Sequence, residues 1–304
     1  MARMITRRRA LLIAAAACVL PTLGRAAPLA RWQGHALGAH AEIKLVGLSA
    51  AEAAPLFARI EAELGRLEAE FSLYRSDSAL ARLNREGRLN APSPEMLEVL
   101  SLAQSVHHRT EGLFDPTVQP LFALHARHFA AGTLPEAGEI AAARALIGLA
   151  GVEVSAAEIV FRKPGMALTM NGIAQGFVTD RVAALLQSEG LRDVLVDIGE
   201  IRALGLRPDG DGWHVGLSDG SRLKLRACAI ASSSLTGTMV NPAAGIGHIF
   251  NPLGEGPTAR APALTANVIH RRAAVADAFS TAAVLAGPER VETWAEDEMQ
   301  VIWS

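Results

Sequence analysis

Val194-Leu195-Val196-Asp197-Ile198-Gly199-Glu200 is the stretch on which the reading of the fold turns. Val194, Val196 and Ile198 alternate with their neighbours, the period-2 mark of a strand. Downstream, Trp213 to Leu217 and Leu223 to Ile230 read as further strands at hairpin spacing. Upstream, Gly172 to Glu189 has helical periodicity through Ile173, Phe177, Val182 and Leu185-Leu186, with Gly190 as its stop. Strands and helices interleave, but hairpin-like strand pairs gather in the C-terminal half. That pattern predicts an α+β fold rather than a doubly wound parallel sheet.

Working outward, His40 to Leu45 reads as a first strand, with Ala41, Ile43 and Leu45 on one face. From Ala51 the period changes: Leu56, Ile60, Leu64, Leu67 and Phe71 form one helical stripe. Ser76 is placed to cap a short second helix carrying Leu80 and Leu83. Ser93-Pro94 reads as N-cap plus first-turn proline of a helix reaching about Thr110, stopped by Gly112. Residues 131–150 suggest a loop and a small helix, and Ala167 to Met170 a short strand. A last helix spans roughly Ala274 to Leu285, and Gln300 to Trp303 reads as a terminal strand.

The 304 residues are 50% hydrophobic and 20% charged, a globular mixture with material for a sizeable core. One Tyr, four Trp and a net charge of −2 give no footing for nucleic-acid binding. Two Cys make neither a disulfide framework nor a four-Cys zinc site. Residues 1–26 read as a signal peptide: Arg7-Arg8-Arg9, an apolar run to Leu23, then the small-residue exit Gly24-Arg25-Ala26. Arg7-Arg8 followed by Leu11-Leu12 resembles a twin-arginine signal, the alternative being an ordinary Sec signal with extra arginines, and the expectation is a periplasmic protein. Cleavage after Ala26 removes five Arg, so 29 basic residues become 24 against 31 acidic ones, a net charge of −7.

Five stretches could carry chemistry. Glu70-Phe71-Ser72-Leu73-Tyr74, ending in Asn84, taken alone reads as a helix exit with a buried aromatic. Thr110 to Val118 packs Gly112, Asp115, Pro116 and Thr117 into a tight loop, a form that aims backbone N–H groups at anions or simply turns the chain. Asn171-Gly172-Ile173-Ala174-Gln175-Gly176 puts two glycines at a helix entry, where a phosphate can approach the backbone. It lacks three spaced glycines, so it is not a Rossmann fingerprint. Asp277 and Thr281 lie four apart on the last helix and share a face. A carboxylate beside a hydroxyl suits Mg²⁺, which takes one or two protein carboxylates plus phosphates and water. The bland alternative is an acidic residue favoured by a helix N-terminus. His248-Ile249-Phe250-Asn251-Pro252 adds a histidine beside apolar residues, more often structural than catalytic.

In order and spacing these stretches resemble the ApbE family of FAD:protein FMN transferases. The likeness runs from Leu37-Gly38-Ala39 through Phe71-Ser72-Leu73-Tyr74, Gly112 to Val118, Asn171 to Asp180 and Val196 to Glu200. It continues with Ala231 to Ser234, His248 to Pro252 and Ala276 to Thr281. The resemblance implies a T-fold-like α+β architecture covering residues 27–304, FAD as substrate and Mg²⁺ as the catalytic ion. It puts Tyr74 against the isoalloxazine ring and Leu113, Phe114 and Asp115 on the pocket wall, with Leu37, Thr169 and Gln175 as further FAD contacts. Gly172 would offer its carbonyl to Mg²⁺ beside Asp277 and Thr281, and His248 is the residue for proton transfer.

Several positions depart from the family pattern. Leu37 and Ala39 replace Met and Thr, Thr169 an Asp, Gln175 a Lys, Ser234 a Gly and Asn251 an Asp. The wording of Met170 to Gly176 and Val196 to Ile201 is similar to the accessory flavin transferases of nitrous oxide reduction. The implied reaction moves FMN from FAD to a Thr or Ser hydroxyl in a Gly-Ala-Thr-type segment of a membrane or periplasmic flavoprotein, releasing AMP. Two alternatives keep the site: hydrolysis of FAD to FMN and AMP, or flavin binding without chemistry.

Overall fold

The computed structural model describes residues 27–254, 265–294 and 298–304; the expected signal peptide lies outside them. In chain order the elements begin with β1 Leu29–Ala36, β2 Ala39–Val46, α1 Ala50–Phe71, α2 Ala79–Glu86, β3 Arg88–Asn90, α3 Pro94–Arg109, α4 Gln119–Ala130 and α5 Ala137–Arg144. They continue with β4 Val152–Val154, β5 Glu158–Phe161, α6 Ala174–Ser188, β6 Val194–Asp197, β7 Ile201–Leu204, β8 Trp213–Gly216 and β9 Arg222–Leu225. The last are β10 Cys228–Ser234, β11 Met239–Asn241, β12 Ile246–Gly247, β13 Thr265–His270, α7 Ala273–Ala286, α8 Pro288–Val291 and β14 Gln300–Trp303.

Seven strands pair antiparallel in the order β1-β2-β6-β7-β10-β13-β14, as an α+β fold requires. Ile43 sits opposite Val196, and Ile230 lies between Ile201 and Ile269. On one face, Ala41, Ile43 and Leu45 enter a core built with Ile60, Leu64 and Leu67 of α1, Phe177 and Val182 of α6, and Phe279 of α7. On the other face, Leu195, Ala203 and Ile230 lie under Trp213, Val215 and Leu225 of the β8–β9 hairpin. That second cover explains why Val194, Leu195 and Val196 are all buried although they alternate in direction. A third cluster joins Leu121 and Leu124 of α4, Ala143 of α5, Ile246 and Phe250.

The sequence reading departs from the structure at identifiable points. Ala167 to Met170 is extended but pairs with no strand. Asn84 takes the neighbour's place, donating to the Leu168 carbonyl at 2.8 Å and accepting from its N–H at 2.7 Å. The cap of α2 is Ser78, not Ser76: its hydroxyl accepts from Ala81 N–H. Helix α6 starts at Ala174 rather than Gly172, because residues 171–173 form a turn closed by Ala174 N–H on the Met170 carbonyl at 2.7 Å. The run from Leu223 to Ile230 splits into β9 and β10, with Ala227 left-handed between them (φ 49°). Strand β1 and helix α4 were not read at all.

Candidate active site

The loop before α4, the turn into α6, the β6–β7 turn, the end of β10 and helix α7 enclose a cavity of about 520 Å³. Small-molecule sites span about 300–1,000 Å³. Tyr74, Leu113, Phe114, Asp115, Thr169, Gly172, Gln175, His248, Asp277 and Thr281 all line it. Leu37 is not on its lining. It holds the β1–β2 turn with φ 50°, donates its N–H to Glu68 at 2.7 Å and packs on the main core. A wider open cleft of about 720 Å³ uses other residues of α4, among them Gln119, Ala123 and Arg127. Asp277 and Thr281 stand in the smaller cavity, which is therefore the candidate site.

The loop from Thr110 to Val118 is held from within. Asp115 is buried, and its carboxylate accepts from Thr117 N–H at 2.8 Å and Leu149 N–H at 3.2 Å. His107 Nδ1 donates to the Phe114 carbonyl at 2.8 Å, and the Thr110 hydroxyl accepts from Phe114 N–H at 3.1 Å. The Asp115 carboxylate is thus committed to shaping the loop. Tyr74 is 81% exposed at the cavity wall, an open ring face where a planar ligand can stack.

At the deep end four oxygen donors gather. A Cβ on Gly172 would stand 3.0 Å from the Thr281 hydroxyl and 3.3 Å from the Phe114 ring, so the Gly172 backbone lies against Thr281. Asp277 is buried, and one carboxylate oxygen accepts from Gly176 N–H at 3.1 Å. Burial pushes its pKa up to about 7, against the pull of that hydrogen bond. Glu200 is buried in the same cavity; burial first, then the charges of Asp277 and Asp197, hold it well above the ordinary carboxylate range.

Neither Asp277 nor Glu200 makes an ion pair among the described residues. Two buried carboxylates without a cation are costly, and with a hydroxyl and a backbone carbonyl they form a hard-oxygen donor set. No cluster of three or more His, Cys, Asp or Glu among the described residues could hold a metal by side chains alone. Mg²⁺ does not need one, since it keeps waters and takes substrate phosphates as ligands. The donor set fits that ion.

His248 also lines the cavity. Its Nδ1 meets the Thr238 carbonyl at 2.9 Å, so Nδ1 carries the proton. Burial lowers its pKa, against the effect of that hydrogen bond, and leaves the ring neutral with a lone pair on Nε2. Gln175 rests on Gly199, where a Cβ would come within 2.7 Å of its amide. The Thr169 hydroxyl accepts from Asn171 N–H at 3.2 Å. Glu200, Ser232 and Thr238 also line the cavity but were not chosen as site residues from sequence. The available signal was an acid directly after a glycine at the end of an apolar strand.

Fold and site together define an α+β protein with a ligand cavity whose deep end suits a hard cation. The chain belongs to the ApbE family, whose model matches residues 37–303. The FAD:protein FMN transferase of Klebsiella pneumoniae (strain 342) is 27% identical over 85% of this chain and 79% of its own length. That of Escherichia coli (strain K12) is 24% identical over 86% of this chain and 79% of its own. Among solved structures, the flavin transferase ApbE from Vibrio cholerae aligns with a TM-score of 0.77 at 25% identity, covering 91% of this chain and 97% of that one. The apo flavinyl transferase ApbE of Pseudomonas stutzeri shares the fold with a TM-score of 0.76, covering 90% of this chain and 94% of that one.

Proposed function

We propose that this chain transfers FMN from FAD to a Thr or Ser hydroxyl of an acceptor flavoprotein through a phosphoester bond, releasing AMP, with Mg²⁺ required. One observation carries the reading: the uncompensated Asp277–Glu200 pair beside Thr281 and Gly172, at the deep end of a nucleotide-sized cavity. Bound there, Mg²⁺ supplies charge neutralisation at the diphosphate oxygens. Asp277, Thr281 and the Gly172 carbonyl would hold the ion, and Tyr74 would stack the flavin. The acceptor oxygen attacks the FMN-side phosphorus, the bond to AMP breaks, and His248 Nε2 takes the hydroxyl proton.

The acceptor segment is of Gly-Ala-Thr type on a membrane or periplasmic flavoprotein, reached after twin-arginine export and cleavage at Ala26. The wording of Met170 to Gly176 and Val196 to Ile201, similar to accessory flavin transferases of nitrous oxide reduction, supports an acceptor in that machinery. The test is the intact mass of an acceptor fragment after incubation with residues 27–304, FAD and Mg²⁺. A gain of one FMN group, lost with EDTA, supports transfer. FAD consumed to FMN and AMP with the fragment unlabelled makes the protein a hydrolase, and FAD left intact means a wrong acceptor or a passive flavin binder, which metal binding at Asp277 then separates.

Tyr74→Ala is expected to weaken FAD binding by about 1–3 kcal/mol, the usual value of an aromatic stack on a planar base. Calorimetric titration of metal-free protein checks this; an unchanged affinity puts Tyr74 outside the flavin subsite.

A further inference from the structure

Helix α6 offers one face to the whole site. Residues 176, 179 and 180 share that face by helical spacing. Gly176 N–H holds the Asp277 carboxylate at 3.1 Å. The Thr179 hydroxyl donates to the Glu200 carbonyl at 3.2 Å. Asp180 reaches the start of α7: one carboxylate oxygen accepts from Ala273 N–H at 2.9 Å and the other from Ala274 N–H at 3.1 Å. The residue at the N-cap position, Arg272, offers no side-chain cap of its own. Two of the four orphan donors of α7 are therefore satisfied from a different helix. Arg202 of β7, two residues after Glu200, pairs with the same Asp180 carboxylate.

We infer that Asp180 is the positioning residue of this site. It caps α7 from α6, and so fixes the rotation and depth at which Asp277 and Thr281 face Gly172. Through Arg202 it ties that setting to the strand that follows Glu200. Asp180 is not on the cavity lining and acts on the site through α7 and, by way of Arg202, through β7. The inference rests on the Mg²⁺ reading of the site for its functional consequence, but the capping itself does not.

The test compares wild type, Asp180→Ala and Asp180→Asn by Mn²⁺ titration and by amide hydrogen exchange over residues 273–281. Removing a group that orients metal ligands costs about 10- to 100-fold in metal affinity. Asp180→Ala is expected to lose Mn²⁺ affinity in that range and to exchange faster in the first turn of α7. Asp180→Asn keeps one side-chain acceptor and should recover part of both. For the transfer reaction, kcat is expected to fall while KM for FAD stays near wild type. A folded Asp180→Ala with wild-type Mn²⁺ affinity and wild-type exchange overturns the inference. If Asp180→Ala does not fold, Asp180→Asn decides it by the same two readouts. If wild type itself binds no Mn²⁺, the metal reading fails instead. Exchange then judges the positioning alone: acceleration confined to residues 273–281 upholds it, and unchanged exchange overturns it.

Discussion

Asp277→Asn is expected to abolish FMN transfer and, without metal, to make the protein more stable at pH 8. The two effects share one cause. Burial raises the folded-state pKa of Asp277 from 3.8 to about 7. A raised folded-state value means that the carboxyl's contribution to stability is complete below pH 3.8 and is lost as pH climbs through about 7. At about 1.4 kcal/mol per unit, the ionised form costs up to roughly 4 kcal/mol. Asn keeps the acceptor for Gly176 N–H and removes the charge. Since about 1 kcal/mol moves the melting temperature by ~2–4 °C in a chain of roughly this size, the gain at pH 8 should be on the order of 8–16 °C. It should shrink toward zero near pH 4. Mg²⁺ should raise the melting temperature of wild type and leave Asp277→Asn unmoved, since only a state that binds the ion is stabilised by it. Thermal unfolding at several pH values with and without Mg²⁺ reads all of this. A variant that tracks wild type across pH removes the buried-charge argument.

Gly176→Ala is the second large effect, and it acts through backbone. A Cβ there would stand 2.4 Å from the Ala273 carbonyl oxygen, 2.6 Å from its carbon and 2.7 Å from Ala274 Cα. None of these atoms can rotate away, so α6 and α7 must part. Overpacking costs about 1–3 kcal/mol and sometimes more. That outweighs the gain of up to ~1 kcal/mol that alanine brings to a helix interior. A loss of about 3 kcal/mol is expected, read as a lower urea midpoint at unchanged slope. Gly65 of α1 is the control, because a Cβ there meets nothing within 4 Å. Gly65→Ala should stabilise by up to ~1 kcal/mol. Equal shifts for the two variants would refute the close-packing account.

What the sequence made legible was what repeats at short range. The α1 stripe, the Ser93-Pro94 start of α3, the Gly190 stop of α6 and the strand Gln300–Trp303 all stand where periodicity and caps put them. The α+β class followed from strand pairs that the sheet contains. The Asp277–Thr281 spacing survives because both lie within one helix. Long-range compensation was hidden. Asn84 satisfies Leu168 from a distant helix, so a four-residue extended run needs no strand partner. Strand β1 does alternate, with Ala30, Trp32, Gly34 and Ala36 against exposed Arg31, Gln33 and His35, but three of its four inward residues are Ala or Gly and give a weak apolar signal. Helix α4 buries only Leu121, Leu124 and His125, too narrow a stripe to stand out. Leu37 carried a family position but no contact with the cavity, because the turn it makes is anchored to α1 by Glu68. Glu200 went unchosen because its partner, Asp277, is 77 residues on, beyond the seven strands β7 to β13.

The order of strands also sets when the molecule can come into being. Ile43 of the opening hairpin finds its neighbour only at Val196, and Ile230 finds one of its own at Ile269. Contacts of such sequence separation are entropically expensive to close and slow folding. A chain still growing from the ribosome has α1, α3 and the small β3-β5-β4 sheet to hand, yet of the seven-stranded sheet it has only the β1–β2 ribbon until β6 has emerged. The helix that bears Asp277 comes later still, after β13. The helix that completes the candidate site is therefore among the last parts to be assembled, and a nascent or truncated chain lacking it leaves the apolar face of β10 and β13 uncovered.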